Sequence, residues 1–253
     1  MRRFYIPSKE LIKETPEITG SDAHHIHSVL RLSPGIEIGL FDGKNFTQLA
    51  VITDISEKKV RFRLMNQILP SAESKLSINI AQGLLKGSKF DALLKPLTEL
   101  GVTEIVPFVA NRSIATLDEK RFIKRHERWE KIVVESIKQC GREKSPIIHG
   151  QKVFEDTLQM AQGADLKLIF WEDESASLLD VFRENKNVTS LFVMIGPEGG
   201  FTPEEIQKAT RHGFISVSLG KRILRTETAA IAISSILQYQ YGDLGAGNHP
   251  KLA

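Results

Sequence analysis

The pattern of apolar and polar positions changes near residue 70. Upstream, short β-like runs at 36–41, 46–52 and 60–64 follow one another, the last strictly alternating as Val-Arg-Phe-Arg-Leu. Alternation of period two marks half-buried strands, and Asp42-Gly43 between the first two runs marks a hairpin turn. One stretch, SDAHHIHSVLR at 21–31, breaks the alternation with helical spacing, with Ser21 or Asp22 as its cap. This is the pattern of a small β-barrel. PSAESK at 70–75 is polar and opens with Pro, so residues 1–70 and 71–253 are expected to form separate domains.

Beyond it, apolar runs and helical patterns alternate. Strands are expected at 76–81, 104–109, 166–171, 191–195 and 215–219. Helices are expected at 88–100, 118–139, 202–212 and 226–241. Pro96 should kink the first of these or limit it to its first part. The second carries an apolar stripe of Trp129, Ile132, Val133, Ile137 and Cys140, with Ser136 among them. Lys120, Arg121, Lys124, Arg125, Arg128 and Lys131 lie on its other face. Alternating elements of this length predict an α/β domain with a mostly parallel sheet.

Composition narrows the class. The single cysteine, Cys140, excludes an internal disulfide and fits a reducing compartment. MRRFYIPSKE lacks the apolar core of a secretory signal, and no run approaches the roughly 18 to 20 apolar residues of a membrane span. A cytoplasmic location is expected. Residues 1–70 carry 10 basic and 8 acidic side chains, and 71–150 carry 14 and 10. Residues 151–253 carry 10 and 13. The positive balance of the first two segments suits either solubility or a polyanionic partner.

Two nucleotide signatures are absent. GLLKGSK at 83–89 lacks the Walker A spacing, and there is no G-x-G-x-x-G. Two other turns are informative. In MIGPEGGFTPEEI at 194–206, an apolar run stops at Gly196-Pro197-Glu198-Gly199-Gly200. A helix follows at once, with Thr202 as cap, Pro203 as first helical residue and Glu205 completing a capping box. In LGKRILRTETAAIAI at 219–233, Lys221, Arg222 and Arg225 precede an Ala-rich helix. Each stretch alone can be read as a well-made strand-to-helix turn or as a ligand loop at a strand's C-terminal end. The triplet His24, His25 and His27 has no Cys or acidic cluster beside it, so no metal is expected.

Together the two turns resemble the RsmE family of 16S ribosomal RNA uridine-N3 methyltransferases, of the SPOUT superfamily. RRFYI at 2–6, HHIHSVLRLSPG at 24–35, KPLTELGV at 95–102, NRS at 111–113 and ERWEKIVVESIKQCGR at 127–142 extend the resemblance over most of the chain. It implies a PUA-like RNA-binding barrel followed by a methyltransferase domain whose C-terminal path is a trefoil knot. It also implies a homodimer, 16S rRNA or the 30S subunit as partner, and S-adenosylmethionine as methyl donor without a metal.

On this resemblance the donor is held mainly by backbone groups of three loops. They comprise Phe170 and Trp171; Ile195, Gly196, Pro197, Glu198, Gly199 and Gly200; and Leu219, Gly220, Ile223, Leu224, Arg225, Thr226 and Thr228. Ile223 reads equally as plain core. Uracil N3 carries a proton at neutral pH, so Arg225 is expected to stabilise the developing anion, with Glu198 or Glu227 as candidate base. Arg3, His25, Arg31, Lys86, Arg112, Arg142 and Arg222 are the expected RNA contacts. The alternatives are a SPOUT enzyme acting on transfer RNA or a ribose hydroxyl, and a binding module without turnover.

Overall fold

The computed structural model describes residues 1–44, 46–69, 73–114, 117–173 and 176–245. Two compact units are present. The first comprises Met1–Glu73 with Ile137–Ser145. Its elements are β1 (Arg3–Tyr5), α1 (Ser8–Leu11), β2 (Glu17–Thr19), α2 (Ser21–His24), β3 (Glu37–Phe41), β4 (Thr47–Ile55) and β5 (Lys59–Ile68). They build a five-stranded sheet in the order β1-β3-β4-β5-β2, antiparallel except for the β1–β3 pair. Register pairs Ile38 with Ala50 and Ile52 with Phe62, so alternate residues of neighbouring strands share one face. Ile6, Ile18, Ala23, Ile26 and Val60 complete that core. Register shifts between β4 and β5 mark irregularities that bend such a ladder. The helical stretch begins at Ser21, and its cap is Gly20 rather than Ser21 or Asp22. Gly20 has φ +70°, a left-handed value that glycine adopts freely, and neither side chain makes a capping bond. A π-turn, His25–Val29, continues α2.

The second unit comprises Ser74–Ser136 and Pro146–Ala246. Its first elements are β6 (Ser77–Gly83), α3 (Lys89–Glu99), β7 (Glu104–Val109), α4 (Glu119–Cys140), β8 (Ile147–Ile148), β9 (Lys152–Val153) and α5 (Phe154–Met160). There follow β10 (Leu166–Phe170), α6 (Leu178–Glu184), β11 (Ser190–Ile195), α7 (Pro203–Arg211), β12 (Ile215–Val217) and α8 (Thr226–Tyr241). All strand pairs are parallel, in the order β12-β10-β11-β6-β7-β8 with β9 also on β7.

Strand β11 shows why its run is apolar throughout. Leu191, Val193 and Ile195 join the core beneath Phe90, Leu94, Ala230 and Ile233 of α3 and α8. Phe192 and Met194 point the other way, into a core with Phe154, Leu158, Ile206 and Ala209 of α5 and α7. A parallel strand covered on both faces has no polar side to present. Each large side chain so buried contributes about 1.5–3 kcal/mol. Helix α3 runs through Pro96 and is not limited to its first part: Leu100 N still donates to Pro96 O at 2.9 Å. Its buried face of Phe90, Leu93, Leu94 and Leu97 anchors it on both sides of the proline.

Parallel pairing positions the site. Phe170 is level with Ile195 on one side and Val217 on the other, and Ile195 is level with Gln82. The C-terminal ends of β12, β10, β11 and β6 therefore lie along one edge, and the loops that follow them emerge together. β12 is shorter than the expected 215–219, since Ser218 forms only an isolated bridge to Ser177.

Candidate functional site

The turn at 196–200 is closed by Gly200 N donating to Pro197 O at 3.0 Å. Its glycines serve the turn's own packing. A Cβ on Gly196 would lie 3.2 Å from the Gly200 carbonyl carbon, and one on Gly199 2.8 Å from Arg112 O. Gly200 adopts φ +69°, and a Cβ there would lie 2.5 Å from the Glu172 carboxylate. Immediately downstream the capping box forms: Thr202 Oγ1 accepts from Glu205 N, and Glu205 Oε2 accepts from Thr202 N at 2.9 Å. Glu205 is 2% exposed, and its other oxygen accepts from Asn111 N at 2.8 Å. One buried carboxylate thus ties α7 to the segment after β7.

Glu198 is committed to the segment after β6. Its Oε1 accepts from Lys86 N at 3.2 Å and from Lys89 Nζ at 3.0 Å. Partial burial pushes its pKa up, but the bonds from Lys89, its own backbone and Lys86 outweigh it, so the carboxyl sits below its ordinary value. A carboxylate so held is a poorer proton acceptor than a free one.

Gln82 and Gly83, which the sequence pattern did not single out, join two of the expected loops. Gln82 is fully buried, and its Nε2 faces Thr226 Oγ1 at 3.0 Å, Gly83 O at 3.1 Å and Gly196 O at 3.3 Å. Thr226 Oγ1 in turn donates to Gly196 O at 2.6 Å. Thr226 is therefore the first helical residue of α8 and a fastener, while Arg225 is the extended N-cap. Gly83 lies so close to the turn that a Cβ would meet Pro197 N at 2.4 Å. The available signal was a polar residue and a glycine interrupting the apolar strand run SINIAQG.

The third loop is open. Among the described residues, no backbone amide from 219 to 225 donates to a backbone or side-chain acceptor. Gly220 has φ +98° with open space where a Cβ would be. Leu219 and Leu224 are half-buried, whereas Lys221, Arg222, Arg225 and Thr228 are exposed. Ile223 is 87% exposed, which overturns its reading as core within this chain. On the neighbouring loop, Phe170 is buried in the sheet core and Trp171 N donates to Val217 O at 3.1 Å. Trp171 Nε1 and Glu227 Oε2 are buried polar atoms without a hydrogen-bond partner, an arrangement that calls for one. Free amides and an exposed guanidinium in the loop that leaves the sheet edge after β12 suit a ligand recognised through backbone groups, beside which an anion can form.

The expected RNA contacts differ in availability. In the first unit His25 and Arg31 are exposed, and Arg31 has φ +49°. Arg3 is paired with Glu143 at 2.7 Å, and the guanidinium of Arg142, only 10% exposed, is taken up by Glu73 at 3.0 Å. In the second unit Lys86, Arg112 and Arg222 are exposed, Arg112 Nη1 reaching Gly199 O at 3.4 Å. Among the described residues no cluster of three or more His, Cys, Asp or Glu side chains could hold a metal ion. No helix among them is long and apolar enough to cross a membrane.

Known proteins resemble the chain over most of its length. Residues 72–238 match the model of an RNA methyltransferase domain, and residues 18–65 that of an RNA methyltransferase PUA domain. The chain is 33% identical over 248 residues to ribosomal RNA small subunit methyltransferase E of Bacillus subtilis, covering 95% of this chain and 97% of that one. A Neisseria gonorrhoeae enzyme of the same name, solved bound to S-adenosylmethionine, superimposes with a TM-score of 0.81 at 33% identity, over 96% of this chain and 99% of that one. A Legionella pneumophila methyltransferase with the same bound cofactor gives 0.80 at 33% identity, over 96% and 98%. The two domain matches in this order, and end-to-end similarity to these relatives, show that the chain belongs to the ribosomal RNA small subunit methyltransferase E family.

Proposed function

We propose that the chain methylates N3 of a uridine in the decoding region of 16S rRNA, on the 30S subunit, with S-adenosylmethionine as donor. The observation that carries this reading is the convergence of the loops after β10, β11 and β12, the last with unpaired backbone amides and an exposed arginine. When bound, S-adenosylmethionine supplies a methyl group activated by a positively charged sulfur. The residues present suit it. The loop at 219–225 offers unpaired backbone donors at the sheet edge from which the 196–200 turn also emerges, and the Trp171 indole N–H is buried without an acceptor.

The chain's own residues then do three things. The interlock of Gln82, Thr226 and Gly196 O holds the turn and the start of α8 in fixed relation, so that reacting groups meet without reorganisation. Arg225 stabilises the negative charge that spreads onto O2 and O4 of uracil as N3 loses its proton. Glu198 anchors the turn through Lys86 and Lys89, which leaves Glu227, with its unpaired oxygen, as the carboxylate suited to accept that proton. In this reading residues 1–70 form the RNA-binding domain, His25 and Arg31 contact phosphate, and residues 71–253 form the catalytic domain. The exposed apolar side chains Ile223, Tyr239 and Leu244 support a homodimer that covers the C-terminal helix. The start of α8 against Gly196 and Gln82 supports a knotted C-terminal path.

The test is methylation of purified 30S subunits from a strain lacking the activity, mapped by mass spectrometry. The expected product is a single 3-methyluridine in the decoding region. Product confined to transfer RNA, or methylation of a ribose hydroxyl, sinks the assignment.

A further inference from the structure

The second unit carries a cleft, about 420 Å³ in volume, between the loop at 85–87 and the first turns of α4. Leu85 and Leu117 line it together with four cationic side chains, Lys86, Arg121, Lys124 and Arg125, and no acidic residue is among its walls. We infer that this cleft binds consecutive phosphates of the RNA substrate's backbone. The inference rests on the reading that this chain modifies RNA, and it assigns a holding site beyond the loops that surround the reacting base.

Three features support it. First, the cations are set differently from those of a solvated helix face. Arg125 Nη2 donates to Gly87 O at 2.9 Å, which fixes its guanidinium across the cleft, and its other donors have no partner among the described residues. Lys86 and Lys124 have no ion-pair partner among the described residues. Arg121 has only Asp118 at 3.3 Å, a pair with both side chains more than half exposed, whose attraction is weak and readily exchanged. Four like charges converging on a concave surface repel one another unless a polyanion fills it, and low-dielectric walls concentrate their potential. Second, the loop leaves room. Gly87 adopts φ +61° with nothing within 4 Å of where its Cβ would be. Third, the cleft is mechanically joined to the cofactor-side turn. The residue that supplies Lys86 Nζ to the cleft supplies its backbone amide to Glu198 at 3.2 Å. A strand held here is therefore positioned relative to the turn. The ladder continues along α4 through Lys120, Arg128 and Lys131, although Arg128 is paired with Asp91 at 3.0 Å. Glu119, Glu127 and Glu130 are the acidic residues on the same helical stretch. A surface of this kind reads the sugar-phosphate chain, not bases, so it contributes affinity and register without sequence preference.

The experiment uses the full chain and a fluorescein-labelled 16S rRNA fragment spanning the decoding hairpin, with affinity read by anisotropy from 50 to 200 mM salt. Each phosphate contact on single-stranded RNA contributes about 0.7 to the slope of log K against log salt. The double variant Arg121→Gln/Lys124→Gln should lower that slope by about 1.4 and weaken binding roughly 10- to 30-fold near 0.1 M salt. S-adenosylmethionine affinity and thermal midpoint should not change, and the loss in methylation should fall on KM. An unchanged slope overturns the inference. So does equal displacement of the labelled RNA by polyglutamate, which would mark an acidic protein surface as the partner. So too does full occupancy by millimolar inorganic phosphate with no added effect of RNA, which would mark a small-anion site. If the variant weakens RNA binding while the wild-type chain methylates no 30S subunit, the cleft stands and the activity reading falls. If methylation proceeds and the variant binds normally, the cleft alone falls.

Discussion

Gly83→Ala is the sharpest test of how the site is built. The change adds one methyl group at the end of β6, where the backbone has an ordinary φ, so no conformational strain accompanies it. The new Cβ would lie 2.4 Å from Pro197 N, 2.7 Å from Pro197 Cδ and 2.9 Å from the Gly196 carbonyl carbon. Ordinary van der Waals contact begins at 3.4 Å, so β6 and the turn must separate by about 1 Å at their closest point. Neither side yields easily. Gly83 is held in register with Phe108 of β7, and the turn is pinned by Thr226, Gln82 and Glu198. Overpacking of this kind costs about 1–3 kcal/mol, which for a chain of this size lowers the thermal midpoint by roughly 2–12 °C. A displacement near 1 Å at reacting groups lowers turnover by about 100-fold. The assays are differential scanning calorimetry, titration calorimetry with S-adenosylmethionine, and single-turnover methylation. Gly150→Ala is the control, since its Cβ would meet nothing within 4 Å and its φ is not in the left-handed region. A Gly83→Ala protein with the control's midpoint, cofactor affinity and turnover would refute the claim that this contact sets the turn.

Glu205→Ala leaves the amides of Thr202 and Asn111 without their buried acceptor, and should cost about 3 kcal/mol in chemical denaturation; Glu205→Gln should recover part of it. Arg225→Ala should lower the methylation rate by about 100-fold or more while cofactor affinity changes little; an unchanged rate removes its anion-stabilising role. Asp165 accepts from Thr189 N, Thr189 Oγ1 and Ser190 N, and these bonds hold its carboxyl at about 2 instead of 3.8. Its folded pKa is depressed, so the stability it contributes is full above about pH 3.8 and is lost as pH falls through about 2. The difference in thermal midpoint between wild type and Asp165→Ala should therefore be constant near neutrality and shrink towards pH 2; a difference that does not change with pH refutes the linkage.

Local chemistry determined much of this protein. The apolar run at 191–195 was legible as a strand, and Thr202, Pro203 and Glu205 as a capping box, because both signals lie within one element or one turn. The same holds for the parallel sheet, which follows from strands separated by helices. Elements of two turns or fewer, α5 and α6 among them, carried too little periodicity to stand out. Cap identity failed at Gly20 for a related reason: a positive φ competes with Ser21 and Asp22 in a way that spacing does not record. Only tertiary structure could decide which groups are free. Arg225 and Arg142 look alike in a sequence, yet one guanidinium is open and the other is held by Glu73 from 69 residues away. Glu198 and Glu227 are both acids near glycine or threonine turns, yet Lys86 and Lys89 occupy the first while an oxygen of the second is buried and unpaired. Gln82 and Gly83 acquire their part solely because parallel pairing brings the end of β6 level with Ile195. Availability for chemistry is a property of contacts between distant segments, and those exist only once the sheet order is set.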